Sequence, residues 1–368
     1  MWIHFALFAT LLLPAALLGL RGNAGRRGSP ILLGITFVAF TAFSTFRAVS
    51  VGNDTVEYHR VFKAIAATDS FQEALSVSRF EYGYVLVNYL VSRLTQDFNI
   101  LLLITSVFVY GSVVLFIKRY AASYSLAVLF AFGMSVFYDL MLAVRQGIAV
   151  AIFLLAVPAL MERKLVRYVL LVVLASQFHV SVLLLLVVYL IPYMRLSTFG
   201  DWFKWGALIG IVMFSLSWLL TWLLISSAYY GHYLHSDYAD GGVRSATVLL
   251  IITRIILLLL AATCGWNASV EADSSGRTRI LLALAVADVA MVVIALGFNL
   301  LDRLEMYLTL PFAVGLANLA ARGERPENSY VSALLVVIAF AATTIFFLYR
   351  PDWYHLFPYR TVFEKGAP

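Results

Sequence analysis

The chain has 368 residues, of which 62% are hydrophobic and only 12% charged, and its basic excess gives a formal net charge of +6. That balance excludes a soluble globular enzyme, because apolar runs of about twenty residues recur and each is long enough to cross a bilayer. A single cysteine, Cys264, excludes an internal disulfide, and the basic residues sit in short loops that carry no nucleic-acid signal.

The hydropathy pattern predicts an all-α, polytopic integral membrane protein: about ten full transmembrane helices, a re-entrant helical pair and an interfacial helix in one domain over 1–368. In chain order, spans are expected at Trp2–Leu20 and Ile31–Val49. An outer loop with an amphipathic helix, Val61–Val77, follows over 50–82. Tyr82–Leu94 is too short to cross and carries Asn88 and Arg93, which makes it the interfacial helix. Spans resume at Phe98–Ile117, Tyr124–Leu142 and Gly147–Met161. The run Tyr168–Pro192 is interrupted by Ser176, Gln177 and His179, as expected of two short legs meeting at a polar tip. Further spans are predicted at Phe203–Leu224, Ser245–Cys264, Ile280–Phe298, Leu304–Ala320 and Tyr330–Leu348, with an outer loop over 225–244 and an outer C-terminal tail over 349–368.

Orientation follows from the positive-inside rule. With Arg21, Arg26 and Arg27 in the cytoplasm and Tyr168–Pro192 entering and leaving on that side, the clusters Lys118/Arg119, Arg163/Lys164/Arg167, Arg195/Lys204, Arg277/Arg279 and Arg322/Arg325 also fall inside. The first span lacks a basic region before it and a small-residue cleavage site, so it is expected to be retained, with the N-terminus outside. Two charges fall near the middle of spans: Arg254 and Asp288, which are expected to pair across neighbouring helices because an unpaired charge there costs several kcal/mol.

The residues capable of chemistry collect on the outer side, with all six histidines. Tyrosines there also suit an aromatic belt, and arginines suit snorkelling to headgroups. The combination is more specific: rings stack on sugar faces, carboxylates and amides bind hydroxyls, and arginines clamp a diphosphate. A lipid-linked sugar diphosphate uses all three. Arg145 and Gln146 open a span at the outer interface, where a helix N-terminus adds its own attraction for phosphate. His179 stands at the polar break of an apolar run, and an unperturbed imidazole titrates near the pH where a general base works. Asp54 and Glu81 compete with it as bases, and either alternatively binds sugar hydroxyls or pairs with an arginine. No metal motif is present, the nearest approach being His232 and His235 with Asp237 and Asp240.

Several short elements occur in order: Asn53-Asp54 with Tyr58, Glu81-Tyr82-Gly83-Tyr84, Arg145-Gln146, Phe178-His179-Val180-Ser181, Asp302-Arg303 with Tyr307, and Phe357-Pro358-Tyr359-Arg360. In these the chain resembles the EpsG family of bacterial exopolysaccharide proteins, which are related in role to Wzy-type polymerases. Its last element reads Phe-Pro-Tyr where the family pattern reads Tyr-Pro-Tyr.

The resemblance implies a glycosyltransferase that polymerises undecaprenyl-diphosphate-linked oligosaccharide units at the outer face of the bacterial inner membrane; from the residues no cofactor or metal is expected. Membrane lipid, a flippase and a chain-length regulator are the implied partners. Within it His179, Asp54 and Glu81 are the catalytic candidates. Arg145, Gln146, Arg303, Arg360, Tyr58, Tyr82, Asp302, Tyr307 and Tyr359 are the candidates for substrate binding. A glycolipid flippase or another polyprenyl-linked glycosyltransferase is the alternative. A flippase calls for polar residues through both halves of the membrane, and here the cytoplasmic half offers little beyond loop arginines.

Overall fold

The computed structural model describes residues 7, 9, 30–194, 199–225, 245–263, 276–295, 304–321, 337, 338, 340, 355, 356 and 358–364. These residues are helical throughout their regular elements. Among them no strand forms, and an isolated antiparallel bridge joins Arg47 to Thr361. Helix is the expected outcome for apolar sequence in lipid, where each segment must satisfy its own backbone N–H and C=O groups.

The elements are α1 (Pro30–Thr45), α2 (Thr55–Ala66), α3 (Phe71–Ser76), α4 (Tyr82–Ser92), α5 (Phe98–Tyr120), α6 (Tyr124–Gly133), α7 (Val136–Leu142), α8 (Val144–Met161) and α9 (Leu165–Ser176). A 3₁₀ leg (Val180–Tyr193), α10 (Phe199–Ile225), α11 (Ser245–Thr263), α12 (Arg277–Ala295) and α13 (Glu305–Ala321) follow. Helices α5 and α8 are each long and apolar enough to cross a membrane. The expected span Tyr124–Leu142 is the bent pair α6–α7, with 56° between its parts. Ser135 adopts a left-handed φ of 64° between them, and its hydroxyl donates to Asp139 Oδ1 at 3.2 Å, which ties the turn to the start of α7. The expected spans Trp2–Leu20 and Tyr330–Leu348 lie outside the described residues apart from isolated positions, as do loop residues 226–244.

The run from Tyr168 to Pro192 folds as two legs joined at a tip. Arg163 Nη2 donates to the Pro192 carbonyl at 2.8 Å and its guanidinium lies 4.9 Å from the Tyr193 ring centroid, so the far ends of α9 and the 3₁₀ leg meet. The Tyr168 hydroxyl, donating to the Leu185 carbonyl, braces the legs midway. Gln177, Phe178 and His179 form the tip, where His179 is extended (φ −158°) and ends the helical winding.

Basic residues gather at the end of the bundle away from this tip. Glu162 pairs with Lys164 at 2.7 Å and Arg119 at 3.8 Å, which sets the C-terminal ends of α5 and α8 side by side. Near the end of α13, Asn318 locks the α5–α6 junction by accepting from the Ala122 N–H at 2.6 Å and donating to the Tyr120 carbonyl at 2.9 Å. At the opposite end α2, α3 and α4 form a cap around Val61, Ile65, Ala74 and Val85. The amphipathic helix expected over Val61–Val77 is broken, because Ser70 caps α3 by accepting from the Glu73 N–H at 3.2 Å while Glu73 reaches back to the Asp69 N–H at 3.0 Å.

The charges expected near the middle of spans pair as the sequence leads one to expect. Arg254 on α11 binds Asp288 on α12, and its other nitrogen reaches Glu305 Oε2 at 3.0 Å and Thr309 Oγ1 at 3.2 Å on α13. One guanidinium thereby ties three helices together.

Candidate functional site

The site begins with a backbone contact. Where α4 starts, the Gly83 N–H donates to the Gln177 carbonyl at 2.8 Å, docking the cap onto the tip of the two legs. A Cβ on residue 83 would stand 2.8 Å from that same oxygen, so a glycine is needed for the approach. Docking carries Glu81, just before α4, to His179: its Oε1 is 3.6 Å from His179 Nδ1.

Arg145 completes the group from the first turn of α8, its Nη1 donating to Glu81 Oε2. One carboxylate therefore faces an imidazole with one oxygen and a guanidinium with the other. The three side chains are only 10–13% exposed. The guanidinium also lies over the Phe80 ring, 4.1 Å from its centroid, a cation–π contact worth about 0.5–2 kcal/mol. Burial works to raise the Glu81 pKa, but its interactions with His179 and Arg145 outweigh burial and hold it down to about 2.

An aromatic triangle backs this group. Phe80, Tyr58 and Tyr84 stand 5.6–5.7 Å apart, centroid to centroid. From α13 the buried Tyr307 places its hydroxyl 3.3 Å from Ser181 Oγ on the 3₁₀ leg. Gln146 is buried beside Arg145.

The other expected residues are placed differently. Tyr82 is half exposed, its ring 5.2 Å from Phe71. Tyr359 stacks on Phe43 at 4.1 Å and donates to the Phe43 carbonyl. Arg360 is exposed, and its carbonyl accepts from the Ala48 N–H at 2.9 Å. Asp54 precedes α2 without a side-chain capping bond. Asp302 and Arg303 lie outside the described residues. Among the described residues no group of three or more His, Cys, Asp or Glu side chains is arranged to hold a metal ion.

The EpsG family model matches residues 31–361. The chain belongs to the EpsG family. No curated protein and no solved structure matches it.

Membership associates this EpsG protein with exopolysaccharide polymerisation and, with its apolar helices, with the membrane. Three of the short elements that carry the resemblance, around Glu81, Arg145 and His179, are distant in sequence and converge here on one carboxylate.

Sequence reasoning missed Arg47, which lies just beyond α1 and is 1% exposed. Its only signal was an arginine at the end of an apolar run, which reads as snorkelling. Phe80 and Tyr84 were visible as neighbours of Glu81, but nothing in the sequence told their rings from belt aromatics.

Proposed function

We propose that this EpsG protein polymerises lipid-linked oligosaccharide units at the outer face of the bacterial inner membrane, in a bundle of about ten spans, with undecaprenyl diphosphate as the leaving group. The observation that supports this most is the Glu81 carboxylate between Arg145 and His179.

In the reaction a hydroxyl of the incoming unit attacks the anomeric carbon of the donor glycan. The new C–O bond forms as the bond from that carbon to the phosphate oxygen breaks, and undecaprenyl diphosphate leaves with the electron pair. His179 takes the hydroxyl proton on Nε2 and passes it to water. Glu81, facing Nδ1, orients the ring and balances its positive charge. The 3.6 Å separation is of the kind that tightens when substrate binds. With its carboxyl pKa held down to about 2, Glu81 stays ionised and suits the orienting role.

Arg145 meets the developing charge on the diphosphate, held in place by Glu81 and Phe80 and assisted by the N-terminus of α8. Gln146, Tyr58 and Tyr307 shape the glycan site beside these three groups, and Tyr82, Arg360 and Asp54 bind glycan away from them.

A deletion strain tests this reading. It should lose polymer and accumulate single repeat units on undecaprenyl diphosphate at the outer leaflet, and Arg145→Ala should fail to restore polymer. Units retained at the inner leaflet would make the protein a flippase instead.

A further inference from the structure

The most anomalous side chain in the described structure lies outside the Glu81 group. Arg47 is 1% exposed, yet no carboxylate pairs with it among the described residues. Its Nη1 donates to the Ser44 carbonyl and to Ser44 Oγ at 2.9 Å, leaving Nε and Nη2 buried with no hydrogen-bond partner. Every other deeply buried arginine described here, Arg145 and Arg254, has a carboxylate.

Burying an unpaired guanidinium costs several kcal/mol, and each orphaned charged donor adds to that cost. Tyr58, Tyr84, Tyr110 and Tyr359 are titratable neighbours of the guanidinium. The Tyr84 hydroxyl is buried without a hydrogen bond of good geometry, the Asn88 side chain one turn on in α4 being its neighbour. Tyr58 and Tyr84 also neighbour Arg145.

The residue is covered by a strap. Val362 N–H donates to the Phe46 carbonyl at 3.0 Å and Ala48 N–H to the Arg360 carbonyl at 2.9 Å, which lays residues 359–362 antiparallel along 46–48. Tyr359, stacked on Phe43, anchors the strap. Two backbone bonds, the bond from the Tyr359 hydroxyl to the Phe43 carbonyl and the ring contacts of Tyr359 with Phe43 and of Phe363 with Phe46 make up the closure.

We propose that Arg47 and the Tyr84 hydroxyl form a second phosphoryl-binding site, closed by the 359–362 strap. The ligand class is a phosphate or diphosphate oxyanion, met by two guanidinium donors and a tyrosine hydroxyl. That the occupant is a lipid diphosphate also touching Arg145 rests on the polymerase reading; binding of the phosphoryl group does not.

The test is titration of inorganic diphosphate into the full chain in phosphatidylcholine nanodiscs, read by calorimetry, with wild type, Arg47→Gln, Tyr84→Phe and Arg145→Ala. Arg47→Gln should weaken binding at least tenfold and Tyr84→Phe several-fold, whereas Arg145→Ala should retain measurable binding. Wild-type affinity in Arg47→Gln, or in Tyr84→Phe where Arg47→Gln fails to fold, overturns the proposal, as does absence of diphosphate binding in the wild type. A second arm replaces part of the lipid with phosphatidylglycerol. Competition there assigns the site to a phospholipid headgroup, and its absence to a soluble or polyprenyl-linked phosphate. Because no arm measures polymerisation, loss of the polymerase reading leaves this result standing, and the reverse also holds.

Discussion

Gly83 and Gln177 touch through backbone alone, N–H to carbonyl at 2.8 Å, at a distance that leaves no room for a Cβ on residue 83. This contact fastens the cap helix α4 to the tip of the two legs and thereby sets the spacing of Glu81 and His179.

Gly83→Ala should therefore act on both stability and activity. Forcing a methyl group against the Gln177 carbonyl should cost roughly 1–3 kcal/mol. Displacing Glu81 from His179 by about 1 Å should lower polymer yield by on the order of 100-fold. Gly34→Ala, where nothing lies within 4 Å of the added Cβ, is the control and should leave both unchanged. Thermal unfolding of the purified protein and polymer yield of complemented cells measure the two effects.

Glu81 and Arg145 should be strongly coupled. Removing either partner leaves a buried charge unpaired, at a cost of about 3–5 kcal/mol, whereas removing both together relieves much of it. A double-mutant cycle with Glu81→Gln and Arg145→Met should show the double variant more stable than the sum of the single losses predicts. Polymer synthesis should be lost in all three variants, which separates chemistry from folding.

The pH dependence of stability follows from the same carboxylate. Its folded pKa of about 2 lies below its ordinary value of 4.5. Its contribution is therefore fully present above pH 4.5 and lost as the pH falls towards 2. The full loss is on the order of 3 kcal/mol. Melting temperature against pH should fall more steeply in this window for wild type than for Glu81→Gln.

The charges on α11, α12 and α13 should behave as structure rather than chemistry. Arg254→Leu strands both Asp288 and Glu305, so it should destabilise more than Asp288→Asn, after which Arg254 still holds Glu305. Asp288→Asn protein that reaches the membrane should polymerise at close to the wild-type rate. Protein level and polymer yield, measured on the same cells, decide this.

The sequence made some of this architecture visible and concealed the rest for physical reasons. The polar break at Ser176, Gln177 and His179 announced two legs and a tip, because polar side chains interrupting an apolar run have few alternatives in lipid. Arg254 and Asp288 announced their pairing in the same way. The break at Ser135 was hidden, since Gly133-Met134-Ser135 does not interrupt hydropathy and the bend depends on a left-handed backbone and a bond to Asp139. Glu81, Arg145 and His179 were each legible as candidates. Their meeting on one carboxylate was not, because it depends on how close Gly83 lets two distant elements come. Arg47 was concealed most completely, as it pairs through its backbone with a tail more than three hundred residues later in the chain.

The most direct test of the account is reconstitution. Purified protein in proteoliposomes would be supplied with undecaprenyl-diphosphate-linked repeat units from its own bacterium, and product length followed by mass spectrometry for wild type, His179→Ala and Arg145→Ala. Wild type alone should yield chains of several units and released undecaprenyl diphosphate. Unextended single units from wild type, or full-length chains from either variant, would contradict it.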